Sequence, residues 1–428
     1  MIGLSTDELY NKIVSQVVIA LAKESQRCVA EMSFRQREEI IGNIRKMTLE
    51  SAELFAKMAV EETGMGNAAH KVLKHKLAAE KTPGTEDITL RAVSGNNGLA
   101  LTEMAPFGVI GAITPSTNPS ETVISNSIAM LAGGNTIVFS PHPSAMKTSL
   151  AAIDMVNRAS ETAGGPKIAF TAATEVLMDH KDIALIVATG GPGLVSAALK
   201  SGKRAIGAGA GHPPVLVDDS ADICKAAKDI IDGASFDNNL PCIAEKVIVA
   251  VASVADELMR RMVNEQGCYS ASKVELAKLE SLIFTEKGSL SRGCVGRSAE
   301  VLLRMIGVSP PSGLRCIVFE GEEEHPLIAK ELMMPILGMV RAAGFYDATE
   351  KALRLEHGNL HSAHIHSKNI DHLNHYAKAM GTTVLVKNAP SYAALGFGGE
   401  RFCTFTIASR TGEGLTSAST FTRKRLIS

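Results

Sequence analysis

The chain has no tryptophan, and aromatic residues make up 4% of its 428 positions. Base-stacking platforms for single-stranded nucleic acid are therefore not expected. Charge of one sign is not in excess. There are 44 basic and 45 acidic residues, for a net charge of −1. That balance supplies no footprint for a phosphate backbone or an anionic membrane. Apolar runs such as Val17–Ala22 fall far short of the ~20 residues that span a bilayer. Met1–Lys12 lacks a basic segment followed by an apolar one, so no secretory leader is read. Cysteine is sparse, with seven scattered residues. An odd, scattered set fits reduced thiols in a cytoplasmic setting better than a disulfide framework. The G-x-G-x-x-G fingerprint, the P-loop and H-E-x-x-H are all missing.

What is present is an ordinary globular composition, 45% hydrophobic and 21% charged. The length suits two or three domains and a large core. Ser5-Thr6-Asp7-Glu8 reads as a capping box. Leu9, Ile13, Val17 and Leu21 follow at helical spacing and are expected to form core. A second helix starts at Ser33 with Gln36 and carries Ile40, Ile44, Met47, Leu54 and Met58. Glu61–Gly66 and Thr82–Gly84 break the helical pattern. Thr89–Val93 and Leu99–Glu103 flank Ser94–Gly98, a hairpin signal that can pair with another subunit.

From Val109 strands and helices alternate. Val109–Thr114, Thr136–Ser140, Ile183–Ala188, Arg204–Gly207 and Pro214–Val217 read as strands, separated by helices at Ser120–Leu131, Ser144–Ala159 and Leu194–Lys200. Further strands are expected at Lys246–Val251, Leu314–Phe319, Pro335–Arg341, His361–His366 and Thr382–Val386, and an extended tail at Thr404–Arg425. This alternation argues for mostly parallel, doubly wound sheets. Ligands of such sheets bind beyond the strand C-termini, which singles out Pro115–Pro119, Pro141–Ser144 and Thr189–Gly193.

Ala234–Lys246 is a polar, Pro-containing loop that delivers Cys242 to the edge of a buried strand. A nucleophilic thiol needs partial exposure and a rigid mount. Cys224 falls in an amphipathic helix pattern, and the other five cysteines stand alone. An Asn118 amide at a strand-to-helix loop can donate to an oxyanion, or it is simply a turn residue before Pro119. Thr189-Gly190-Gly191-Pro192-Gly193 is either a tight turn or a place where phosphate meets a helix N-terminus. Gly207–Gly211 lets backbone approach a ligand, or only crosses between domains. Six of the twelve histidines lie between His357 and His375, with His364 and His366 on one strand face. No paired-cysteine or zinc motif supports a metal there.

Taken together in order and spacing, these motifs resemble the aldehyde dehydrogenase superfamily over nearly the whole chain, and within it the CoA-acylating propionaldehyde and acetaldehyde dehydrogenases of bacterial microcompartments. The resemblance rests on Glu62–Gly66, Thr114–Pro119, Ser140–Pro143, Thr189–Gly191, Gly207–Pro214, Ala234–Lys246, Glu331–Pro335, Val386–Asn388, Gly396–Glu400 and Thr411–Gly414. It implies an α/β fold with two doubly wound parallel-sheet domains and a small β oligomerisation extension. The cofactor-binding domain would be 1–84 and 104–209, the catalytic domain 210–403, and the extension 85–103 and 404–428. Cys242 matches the nucleophile and Asn118 the oxyanion donor. Thr114, Pro115, Ser140, Pro141, His142, Thr189, Gly190 and Gly191 match the NAD site, and Glu331 the carboxylate on the nicotinamide ribose.

Two departures from hydrolytic relatives matter. Their Glu-Leu-Gly-Gly run is Ala208-Gly209-Ala210-Gly211 here, and Ala208 cannot act as a base. A thiol, coenzyme A, is then the implied acceptor. Their Lys and Glu near the adenosine ribose are replaced by Ser140 and Pro143, so the choice of NAD over NADP rests on the resemblance. The implied product is an acyl-CoA from a short aldehyde; the alternatives are a hydrolytic enzyme or an inactive structural relative. The resemblance also implies a homo-oligomer (dimer or tetramer), a cytoplasmic or microcompartment location, and shell proteins as further partners. The N-terminal helix must serve either as core or as a targeting helix.

Overall fold

The computed structural model describes residues 6–428, with side chains from Asn11 onward. The expected Ser5–Glu8 capping box and the side chain of Leu9 lie outside the described residues. The chain divides into two compact units. The first comprises the described residues up to Thr63, Val72–Gly209 and Phe402–Ser428. The second comprises Gly64–Lys71 and Ala210–Arg401.

The first unit opens with helices α1 (Thr6–Glu31) and α2 (Phe34–Thr63). The Ser33–Gln36 capping box starts α2, with Gln36 N donating to Ser33 Oγ at 3.3 Å and Ser33 N to Gln36 Oε1 at 2.9 Å. Helix α3 (Ala68–Lys81) begins in the second unit and ends in the first. A hairpin follows, β1 (Arg91–Gly95) and β2 (Gly98–Pro106). Then come β3 (Val109–Thr114), α4 (Pro119–Ala132), β4 (Thr136–Pro141), α5 (Met146–Thr162), β5 (Ala169–Thr171), α6 (Thr174–Asp179), β6 (Leu185–Thr189), α7 (Pro192–Lys200) and β7 (Ala205–Ala208). Strands β3 to β7 form a parallel sheet in the order β5-β4-β3-β6-β7. The chain steps one way from β3 and then returns to its other side. The loops after β3 and β6 therefore flank a switch point, where α/β sheets bind ligands.

The second unit is a seven-stranded parallel sheet of β8 (Pro214–Val217), β9 (Val247–Val251), β10 (Cys268–Ser270), β11 (Cys316–Glu320), β12 (Ile336–Ala342), β13 (Ser362–His366) and β14 (Val384–Lys387), ordered β10-β11-β12-β9-β8-β13-β14. Helix α8 (Ile223–Ser235) joins β8 to the loop before β9. Strands β8, β9 and β13 are buried at every position, as sheets covered on both faces require.

Two expectations are corrected. The Ile13, Val17, Leu21 stripe of α1 is not core; each residue is more than half exposed. The buried face is Ser15, Ile19, Ala22 and Val29. Polar anchors set that rotation: Ala173 N donates to Ser15 Oγ at 3.1 Å, and Gln26 bridges Thr136 N and Gly134 O at 2.6 and 2.9 Å. The tail after Thr404 is not one extended segment. It makes the short pair β15 (Ile407–Ala408) and β16 (Gly414–Leu415), then a helical turn at Ala418–Phe421. Ser417 Oγ bonds Asp87 at 2.6 Å, and Phe421 is fully buried. Only then does β17 (Thr422–Ile427) pair antiparallel with β2.

Candidate active site

The first unit gathers its candidate residues at the C-terminal edge of its sheet. Thr114 lies opposite Pro141, and Ile113 opposite both Ser140 and Ala188, so Thr189 follows at the same level. Thr114 Oγ1 is buried with no hydrogen-bond partner among the described residues. Ser140 Oγ meets Thr174 Oγ1 at 2.7 Å, and Thr189 Oγ1 meets Thr406 Oγ1 at 3.2 Å. His142 is exposed, and its Nδ1 accepts from Ser144 N at 3.2 Å. Gly190 N donates to Ala208 O at 3.0 Å, and Gly191 caps α7. Open space lies where a Gly191 side chain would be. An orphaned hydroxyl, short side chains and an open helix N-terminus suit a dinucleotide, since phosphate can approach backbone N–H groups there. Pro115 stands in the loop after β3.

Asn118 starts α4 but makes no capping bond. Its Oδ1 accepts from Lys74 Nζ, which also lies 3.3 Å from Glu121 Oε1. Lys74, His75 and Glu121 are buried, and His75 Nε2 meets Ser120 Oγ at 2.7 Å.

The second unit builds its part on a strained loop. Asp237, Asn238 and Asn239 all have positive φ, at 48°, 54° and 64°. Three such non-glycine residues in a row persist only where their surroundings over-determine them. Each side chain here is an anchor. Asp237 Oδ1 accepts from Asn67 N at 2.7 Å, and Oδ2 pairs with Lys71 Nζ at 3.2 Å. Asn238 Nδ2 donates to Gly66 O and Gly296 O at 3.1 and 2.8 Å. Asn239 Nδ2 donates to Ala234 O and Glu245 O at 2.8 and 3.0 Å. Gly66 leaves no room for a side chain, because a Cβ there would lie 2.3 Å from Asp237 Oδ1.

Behind the loop, buried Lys246 donates to Asn239 O at 2.7 Å, Asn239 Oδ1 at 2.6 Å and Pro241 O at 3.3 Å. Its Nζ lies 4.0 Å from Glu331 Oε1. Cys242 is half-buried. The other six cysteines are exposed (Cys28, Cys224) or buried (Cys268, Cys294, Cys316, Cys403). Burial and the Glu331 carboxylate push the Cys242 thiol up to about 12, against the opposing pull of Lys246 and of the Cys242 and Ile243 N–H groups. Burial also raises Glu331 to about 7, although Lys246 and the Gly211 N–H favour its ionised form. At neutral pH the thiol thus rests protonated.

Asp237 and Glu245, the nearby carboxylates in sequence, serve as anchors. Glu245 Oε1 accepts from Ser391 N at 2.9 Å, and its carboxyl fills the space beside Gly233. His361 has the properties of an acceptor. Burial lowers it to about 4, so the imidazole is neutral. Its Nδ1 is bonded to Ser362 Oγ at 2.9 Å, and Nε2 has no partner among the described residues. A Cβ on Gly211 would lie 2.9 Å from both Cys242 O and the His361 ring, so these groups crowd the same glycine.

Sequence reasoning missed Lys74, Glu121, Lys246 and His361 as site residues. The available signal was a charge in an apolar setting: Lys246 directly precedes an all-apolar strand, and Glu121 sits in a helix buried at every position. The histidine cluster does not converge on one point. His364 Nε2 bonds Ile243 O at 2.8 Å, while His372 joins Asp218 and Asp219 in the one His/acid grouping with metal-ligand spacing among the described residues. Asp218 is already engaged there by Ser220 and Ser367 hydroxyls, each at 2.6 Å.

The aldehyde dehydrogenase family profile matches residues 10–274. A CoA-propanoylating propanal dehydrogenase of Salmonella typhimurium is 45% identical over 399 residues, covering 91% of this chain and 86% of that one. The acetylating acetaldehyde dehydrogenase EutE of Escherichia coli is 43% identical over 419 residues, covering 95% and 89%. A propionaldehyde dehydrogenase structure from the Clostridium phytofermentans fucose utilisation microcompartment superposes with a TM-score of 0.95 at 65% identity, covering 96% of each chain. The nucleophile-like loop, the cofactor-type sheet edge and these likenesses agree: the chain belongs to the aldehyde dehydrogenase family, in its CoA-acylating group.

Proposed function

We propose that the protein oxidises a short aldehyde, propionaldehyde or acetaldehyde, to the acyl-CoA with reduction of NAD. The observation that carries this is Cys242, the one half-buried cysteine, mounted on a loop anchored through Asp237, Asn238 and Asn239. Cys242 is the nucleophile, and His361 Nε2 is its proton acceptor. The thiolate adds to the aldehyde carbon, and Asn118 Nδ2 with the Cys242 N–H stabilises the oxyanion. Bound NAD supplies the hydride acceptor; Thr114, Pro115, Ser140, Pro141, His142, Thr189, Gly190 and Gly191 would hold the dinucleotide, and Glu331 its ribose. Loss of hydride leaves an acyl-Cys242 thioester. The CoA thiolate attacks its carbonyl, a new C–S bond forms, and the bond to Cys242 Sγ breaks.

Ala208 decides the acceptor. It is an alanine at the end of β7 where hydrolytic relatives carry a base, and a general base is worth about 10²–10⁴ in rate. Rapid mixing with propionaldehyde and NAD alone should therefore give about one NADH per site and then stall, with turnover restored by CoA. Fast multiple turnover without CoA would replace this reading with the hydrolytic one. We further infer a homo-oligomer joined through the β1-β2-β17 sheet, where Val93, Leu99 and Leu426 are more than half exposed. A microcompartment location rests on the Clostridium relative.

A further inference from the structure

Asparagine is among the best N-cap residues, because its side-chain oxygen accepts the free N–H groups of the first helical turn. Asn118 occupies that place on α4 and does not use it. Its oxygen goes to Lys74 instead. An ammonium has three donors and no acceptor, so it binds the oxygen end of a primary amide and not the NH₂ end. The amide therefore has one orientation. Oδ1 faces Lys74, and Nδ2 makes one contact among the described residues, 3.4 Å to Thr117 Oγ1.

Lys74 is itself held. It is 1% exposed, with Nζ 3.3 Å from the carboxylate of fully buried Glu121. Ser120 Oγ approaches the other carboxylate oxygen at 3.4 Å and is bonded to His75. A buried pair kept for stability alone is often replaceable by apolar residues at little cost. This pair does something an apolar pair would not: it draws the amide oxygen away from the helix and polarises the N–H groups at the other end.

We infer that Lys74 is a positioning residue for the reaction, locking the Asn118 amide so that Nδ2 is presented as the oxyanion donor. This rests on the assignment of Asn118 made above, and the experiment separates the two. Acylation of Cys242 by propionyl-CoA is timed by quenched-flow mass spectrometry in Lys74→Met, Lys74→Arg, Asn118→Ala and the Met/Ala double variant. NADH affinity and thermal midpoint are measured in parallel. Asn118→Ala should slow acylation by about 10²–10³. Lys74→Met should slow it by about 10–10² with NADH affinity within about twofold, and Lys74→Arg should recover most of the rate. In the Asn118→Ala background, Lys74→Met should cost less than about twofold, because its effect runs through the amide. An equal loss in both backgrounds, or no loss from Lys74→Met, overturns the inference and leaves Asn118 standing. A loss below about threefold from Asn118→Ala removes the Asn118 assignment, and this inference with it. If Lys74→Met does not fold, Lys74→Met with Glu121→Gln carries no buried charge and serves in the same cycle.

Discussion

The two units put their chemistry at opposite edges of their sheets. In the first, Thr114, Pro141 and Thr189 end β3, β4 and β6. In the second, Gly211, Cys242 with Lys246, Glu331 and His361 stand just before β8, β9, β12 and β13. The C-terminal edge of a parallel sheet gathers helix N-termini with spare N–H groups, which suits phosphates. The opposite edge gathers helix C-termini and carbonyl oxygens. Lys246 fits that edge, because its ammonium meets the carbonyls of Asn239 and Pro241. The thiol there lacks the helix N-terminus that lowers many reactive cysteines, and it is held up at about 12. The contrast fits the proposal of anion binding at one edge and a braced, resting-neutral nucleophile at the other.

The largest expected effect tests the nucleophile against the amide. Cys242→Ala should abolish the propionyl adduct in intact-protein mass spectrometry, whereas Asn118→Ala should form it slowly and completely. An adduct on another cysteine, with activity retained, would break the assignment.

A smaller effect tests the bracing. Gly66 has φ +85° and faces Asp237 Oδ1, so Gly66→Ala adds strain and a clash. It should destabilise by about 1–3 kcal/mol in urea unfolding and slow alkylation of Cys242 relative to the exposed cysteines. An unchanged midpoint would show that the left-handed triplet is not held from this side.

A third effect is graded with pH and sharpens the comparison between the units. Burial lowers His212, His361 and His364 to about 4 and His366 to about 3, all in the second unit. Below pH ~6.5 the unfolded chain protonates these histidines and the folded one does not, so stability is lost as pH falls from there toward 4. Glu245, raised to about 8, and Glu331, raised to about 7, act in the other direction, stabilising as pH falls through those values. With four histidines against two carboxyls, the net near pH 5 is roughly two protons, or about 2–3 kcal/mol per pH unit. Hydrogen exchange at pH 5 and 7 should show protection lost first in β8 and β13. Equal loss in both units would remove this distinction.

Much of this was legible in the chain. The alternation from Val109 to Ala208 produced the first parallel sheet because strands buried on both faces leave continuous apolar runs. Cys242 stood out because its polar loop precedes such a run. The α1 stripe misled because periodicity marks two adjacent faces of a helix, and the polar anchors of Ser15 and Gln26 chose between them. Lys74 and Lys246 were illegible as site residues because their partners lie 44 residues away for Asn118 and, for Glu331, far along the chain on another element.

The sequence by itself marked the candidates for chemistry, one thiol in a polar loop and one amide before a helix, and the resemblance to relatives added an alanine where hydrolytic enzymes carry a base. The thiol and the amide stand out by side-chain chemistry and local pattern, which survive without coordinates. Tertiary structure decided their state. Burial beside Glu331 keeps the thiol protonated, removal of His361 from water keeps its imidazole neutral, and an ammonium brought from α3 orients the Asn118 amide. Protonation and orientation depend on what the fold brings within a few ångströms, and sequence spacing does not record that distance.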